Sequence, residues 1–140
     1  MINVHDLCVG NWVYDGERTQ FPMYVETIGE DYVYLNFEGN EGDVWESTPK
    51  ELEGIPLVAD TLEKAGFIFD NGYWRKRISV HNHLEYYPHE HRLRKWCCII
   101  DEWNNHSRVK EITFECKCYY LHEFQNAVNM AIKQELKITL

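Results

Sequence analysis

Cys116-Lys117-Cys118-Tyr119-Tyr120-Leu121-His122-Glu123-Phe124-Gln125-Asn126-Ala127-Val128 reads as a strand running straight into a helix, and the fold turns on that junction. Upstream of it, Ile112, Phe114, Cys116 and Cys118 alternate with Glu111, Thr113, Glu115 and Lys117. That period of two predicts a strand with the first set on its apolar face. Downstream, Leu121, Phe124, Val128, Ala131 and Ile132 recur at spacings of three and four and share one helical face. His122, Glu123, Asn126, Asn129 and Lys133 fall on other faces, so the helix is expected from Tyr119 to about Lys133. A helix of this length is marginal alone in water. It needs a sheet to cover, and Phe124 and Val128 are expected to bury against the strand 112–118.

Working outward, the chain before the junction is rich in strand signals. Val9 to Tyr14, Met23 to Ile28, Tyr32 to Phe37 and Asp43 to Glu46 are short runs separated by Asp15-Gly16, Gly29-Glu30-Asp31 and the Glu38–Gly42 loop. Short strands at close intervals with Gly and Asp between them point to a small barrel or a strongly bent sheet. An SH3-like barrel is the preferred reading of residues 9–55. Pro56 biases Ile55 toward extended geometry, which breaks the chain near 54–58. Ala59 to Ala65 then reads as a short helix, with Gly66 suited to the left-handed residue beyond its end.

Beyond the joint, Asp70-Asn71-Gly72 is a hairpin signal between Phe67–Phe69 and Tyr73–Val80. His81 to Arg92 is polar and broken by Pro88, so a long loop is expected there, holding a short strand at Leu84–Tyr87. Arg94 to Ile100 is a further strand, and Asp101 to Arg108 turns it around. The fold class is therefore α+β. Residues 1–57 form the SH3-like module, and residues 58–140 form the joint helix and an antiparallel sheet covered by the C-terminal helix. The two share one core.

Three segments carry a resemblance. Leu7-Cys8-Val9-Gly10-Asn11-Trp12-Val13, the joint Gly54-Ile55-Pro56-Leu57 with Leu62 and Gly66-Phe67, and Tyr120-Leu121-His122-Glu123-Phe124-Gln125-Asn126 together resemble a group of small bacterial proteins. That group is frequent in gut bacteria, often linked to prophages or other mobile elements, and has no established activity. In it the joint helix usually starts with a capping Thr, where this chain has Val58. The resemblance covers both ends and the joint, not residues 73–115, and what it implies is layout rather than chemistry.

Composition narrows the function classes. The 140 residues fit one domain or two small modules, and 44% apolar with 14% aromatic residues suffices for a packed interior. The first residues carry no basic region ahead of an apolar run, and no stretch approaches the roughly 20 apolar residues of a membrane span. A soluble cytoplasmic protein without membrane contact is the expectation. Five cysteines, two pairs of them too close to bridge without strain, fit reduced thiols better than a disulfide framework. The net charge of −9 is uneven: residues 1–60 carry 13 acidic and two basic residues, and residues 61–140 carry 10 acidic and 12 basic. The acidic half repels nucleic acid. Arg75-Lys76-Arg77 and Arg92-Leu93-Arg94-Lys95 are local basic clusters, read as solvated strand edges.

Candidate sites follow from residue type. Trp12, Tyr14, Tyr34 and Trp45 belong to the aromatic cluster of the barrel strands, and exposed aromatics among acidic loops suit a basic or Pro-containing peptide. His81, His83, His89 and His91 form two His-x-His pairs, the spacing that puts adjacent ligands on one side of a strand. The Cys spacing is not that of a zinc finger, and Cys116 and Cys118 continue the apolar register, so core thiols are the simpler reading. No catalytic residue and no cofactor are assigned. The function expected is a non-enzymatic interaction or accessory protein of a mobile element with a protein or peptide partner; self-association stays open and nucleic acid is disfavoured. The competing reading is a small metal- or thiol-dependent enzyme using the His and Cys residues of 81–122.

Overall fold

The computed structural model describes every residue except 17–20, 41, 102–106, 137 and 139; at 99–101 and 107–109 it describes the backbone alone. The fold is α+β, with two antiparallel five-stranded sheets and a C-terminal helix. Contacts divide the chain into two units: residues 1–57 with 120–126 and Leu140, and residues 58–119 with 127–139.

In the first unit β1 (Trp12–Asp15), β2 (Pro22–Ile28), β3 (Val33–Asn36), β4 (Trp45–Ser47) and β5 (Leu52–Glu53) lie in the order β4-β3-β2-β1-β5. A single 3-10 turn, Pro49–Glu51, joins β4 to β5. Alternation decides the core: Val13, Met23, Val25, Val33, Leu35 and Leu52 are fully buried and pack with Ile2 and Leu7. β2 gains a bulge between Val25 and Thr27, where Glu26 is the extra residue, and a bulge of this kind bends a strand. The start of α2 (Leu121–Ile132) completes this unit. Leu121 N–H donates to Ile55 O at 2.8 Å, and Glu123 Oε1 accepts from Tyr120 N–H at 3.0 Å. Gly54 is obligatory beside it, since a Cβ there would lie 2.5 Å from the Tyr120 ring.

The second unit opens with α1 (Ala59–Lys64). Val58 offers no side-chain cap, and Thr61 takes over: its hydroxyl accepts from Val58 N–H at 3.1 Å and donates to Val58 O at 2.8 Å. Gly66 ends the turn at φ +88°. β6 (Ile68–Asp70), β7 (Tyr73–Arg77), β8 (Asn82–Tyr87), β9 (Arg92–Asp101) and β10 (Ser107–Lys117) then run in sequence order across the sheet. Asn71 (φ 54°) and Gly72 (φ 88°) form the two-residue turn of the first hairpin, the conformation that Asn-Gly favours.

Two expectations need correction here. His81 to Arg92 is not a long loop: Asn82–Tyr87 pairs along its whole length with β9 and over residues 83–86 with β7, and only Pro88–His91 turns. His83 and Glu85 share one face of that strand, Asn82 lies on the other, and His89, Glu90 and His91 belong to the turn. The alternation of the last strand is also interrupted. A bulge at Thr113 leaves Ile112 opposite Trp96 but Phe114 opposite Lys95. Ile112 therefore lies on the other face from Phe114 and Cys116 and is 44% exposed. The turn expected over Asp101–Arg108 falls for the most part outside the described residues. Phe124 and Val128 are both fully buried, Phe124 with the first unit and Val128 with the second. Among the described residues no helix is long and apolar enough to cross a membrane.

Candidate functional site

The polar face of the second sheet holds the most organised chemistry. Register sorts its residues. Trp74, Tyr86, Leu93 and Cys116 line up across the strands on one face, where the first three are buried. On the other face Arg75, Glu85 and Arg94 lie side by side, as do Arg77, His83, Trp96 and Ile112. Glu85 is thus flanked by an arginine on each neighbouring strand.

Glu85 is only 2% exposed. A buried carboxylate needs compensation, and it has three polar neighbours. Tyr87 donates its hydroxyl at 2.7 Å, Lys110 Nζ lies at 3.1 Å, and His83 Nε2 lies at 3.5 Å. Burial pushes the Glu85 carboxyl upward, but the Tyr87 and Lys110 hydrogen bonds, with the Lys110 and His83 charges, hold it below the ordinary glutamate range. Burial and the Glu85 carboxylate together drive the Tyr87 phenol up to about 12. Lys110 Nζ also sits 4.2 Å above the Trp96 ring, and the Arg94 guanidinium 4.7 Å from the Tyr87 ring centre, both cation–π distances. Glu85 acts as an anchor that fixes a cation over the sheet.

Beside this anchor the sheet is notched. β6 pairs with β7 only as far as Arg75, so Lys76 and Arg77 run past its end, and Lys76 Nζ donates to Ala65 O at 2.9 Å. The result is a recess of about 770 Å³ whose walls include Arg75, Lys76, Arg77, Lys110, His81 and His83, with Glu85 as its one carboxylate. Four cations line the recess against Glu85, and although Asp70 pairs with Arg75 at 3.1 Å the excess remains positive, the reverse of a chain whose net charge is −9.

The residues singled out from sequence are distributed differently. Trp12 is buried, edge-on to Tyr24 at 5.5 Å, while Tyr14 and Tyr34 are half-buried on the same face of the first sheet. The Tyr34 phenol is shifted upward by burial and then by Glu46. Trp45 lies opposite Leu35, on the core face, and its indole N–H donates to the buried Asp15 carboxylate. The four rings therefore do not form one surface. His81 and His83 stand at the start of β8 and His89 and His91 in the turn after it. His83 is the second residue of that strand, so residues 84–87, rising roughly 3.3 Å each, and Pro88 lie between the pairs. Among the described residues no three His, Cys, Asp or Glu side chains are grouped to hold a metal ion. Cys118 is buried, and His122 is buried with Nδ1 lacking a hydrogen-bond partner.

Sequence reasoning missed Glu85, Arg77 and Lys110 as one group. Nothing in a single strand marks Glu85, which occupies an ordinary polar phase; only the pairing of the four strands β7 to β10 reveals its neighbours. Comparison with known protein families, characterised proteins and solved structures finds no match for the chain.

Proposed function

We propose that the chain is a non-enzymatic interaction protein whose second unit captures an anionic group of a protein or peptide partner in the recess between Arg77 and Lys110. The observation that carries this reading is the local inversion of charge around a buried carboxylate. Convergent cations in a concave, partly apolar site concentrate an anionic ligand, and each retains donors: a Lys has three and an Arg five. Acid–base catalysis is the weaker reading, because a general base works best with a pKa near the working pH. Glu85 is shifted down and Tyr87 up, both away from neutrality.

The first unit supports an interaction role in another way. Its strand order, with the last short strand beside the first and a 3-10 turn before it, fits the SH3-like reading, and the half-buried Tyr14 and Tyr34 share a sheet face while Tyr32, edge-on to Tyr34, is exposed. The resemblance at the joint and at both chain ends agrees with an accessory role in a mobile element. Fluorescence anisotropy with a labelled Glu-rich peptide and a Lys-rich control tests the recess. Selective binding of the acidic peptide, reduced at least tenfold by Arg77→Ala, is expected; equal affinity for both peptides, or no effect of the substitution, would defeat the reading.

A further inference from the structure

The recess opens onto a free sheet edge, and that edge bears on what kind of anion it takes. β6 is the last strand of its sheet, and among the described residues no strand pairs with its outer side. It is also apolar: Ile68 is 65% exposed and Phe69 is more than half exposed, on opposite faces of the strand. Ile68 lies opposite Arg75, on the cationic face, and lines the recess; Val80, 75% exposed, lines it too. Natural sheets usually protect edges with charges, proline or a covering element. Here two of the three edge residues are a β-branched aliphatic and an aromatic; the third, Asp70, lies at the turn end of the strand with its carboxylate 3.1 Å from the Arg75 guanidinium, which leaves Arg77 and Lys110 as the cations open to a partner.

Resting on the anion-binding reading, we propose that the partner is an extended acidic peptide segment that adds a strand to β6. Strand addition supplies affinity through main-chain hydrogen bonds and specificity through alternate side chains. Alternation fixes the pattern. Side chains beside Ile68 fall on the face of Arg75, Arg77 and Lys110, so they are acidic; those beside Phe69 fall on the other face, so they are apolar. The segment is therefore an alternating acidic–apolar strand. Charge complementarity favours peptide over nucleic acid. A polynucleotide brings many phosphates toward a chain of net charge −9.

The test uses the full chain and three probes: the peptide Val-Glu-Val-Glu-Val-Glu, the same peptide N-methylated at alternate residues, and a single-stranded DNA oligonucleotide of equal length. The unmodified peptide is expected to bind, N-methylation to weaken it at least tenfold in one of its two phases, and Arg77→Ala to weaken it by a similar factor. N-methylation leaves the protein untouched, so a folding defect cannot mimic its effect. Equal binding of both N-methylated phases would overturn strand addition while leaving anion capture standing. Binding of DNA in place of the peptide would overturn the peptide assignment. Binding of neither would overturn the proposal together with the reading beneath it.

Discussion

The backbone N–H of Trp12 donates to Gln125 Oε1 at 2.8 Å, tying the first strand to the last helix across 113 positions of sequence. Gln125 Nε2 returns a hydrogen bond to Gly10 O at 3.1 Å. Its neighbour Asn126 accepts from Asn11 Nδ2 and donates to Asp6 O, each at 2.8 Å. Two side-chain amides thus close four polar groups of the segment 6–12, each amide presenting one donor and one acceptor.

Gln125→Ala should therefore destabilise the protein by about 1–3 kcal/mol, because a buried donor and a half-buried acceptor lose this partner together. Gln125→Glu should recover only part of that, since a carboxylate accepts from Trp12 but cannot donate to Gly10. Urea midpoints at neutral pH read the order wild type, Glu, Ala. Equal midpoints for all three would show that the amide bridge contributes nothing.

The same stitching bears on whether the first module stands alone. Residues 1–57 contain Asn11, Trp12 and Gly10 but not the Gln125 and Asn126 side chains that complete them. A fragment of residues 1–57 is expected to lack a cooperative unfolding transition, and adding 120–126 through a short linker is expected to restore one. A sharp melt from the fragment alone would contradict this.

Phe124 is fully buried. Phe124→Ala should cost about 3–5 kcal/mol, as large-to-small changes in a core do. Phe124→Leu conserves most of the volume and should cost less than half as much. An unchanged melting temperature in the alanine variant would remove Phe124 from the core.

Two groups set the acid response. Burial holds the His122 imidazole below its ordinary value of 6.5, against the opposing pull of Glu123 and Asp6. The unfolded chain then binds the proton more readily than the folded one, so stability falls as pH drops below 6.5 and levels off beneath the folded value. Glu85 has the opposite form: its lowered carboxyl stabilises the fold above 4.5, and that contribution is lost as pH falls through its folded value. His122→Gln should flatten the stability profile between about pH 7 and 5 while leaving the loss at lower pH. A profile unchanged by the substitution would assign the slope to other groups.

How much of this was legible in the sequence depends on whether the signal was local. The Asn71-Gly72 turn, the joint at Pro56, the Gly66 helix stop and the period of the last helix are each encoded within a few residues, and the structure has them. The Thr113 bulge was not legible, because one inserted residue leaves the local alternation looking regular while it reverses Ile112. Residue type groups Trp45 with the candidate binding rings, since nothing nearby in the chain announces Asp15 as the partner of its indole. The spacing of the histidines speaks only for each His-x-His pair, and whether the two pairs meet depends on the strand and turn between them. The recess is not visible in the sequence because its residues come from all five strands of the second sheet, and Lys110 lies 25 positions from Glu85.

That pair offers the sharpest separation of anchor from ligand site. Removing Glu85 strands its partners: Glu85→Leu leaves the Tyr87 hydroxyl without its acceptor and Lys110 without its counter-charge. Breaking a fully buried ion pair costs several kcal/mol, but the Lys110 side chain is 43% exposed and can turn to water. The expected loss is therefore smaller, about 1–3 kcal/mol, carried mainly by the unmet hydroxyl. Glu85→Gln should lie between, because an amide still accepts from one of the two donors. The double variant Glu85→Leu with Lys110→Met removes charge from both sides. If Lys110 is held by Glu85 rather than by the Trp96 ring, the double variant should recover stability relative to Glu85→Leu alone, with a coupling above about 0.5 kcal/mol. Strict additivity in the cycle would show that the ring, not the carboxylate, positions the ammonium group over the sheet.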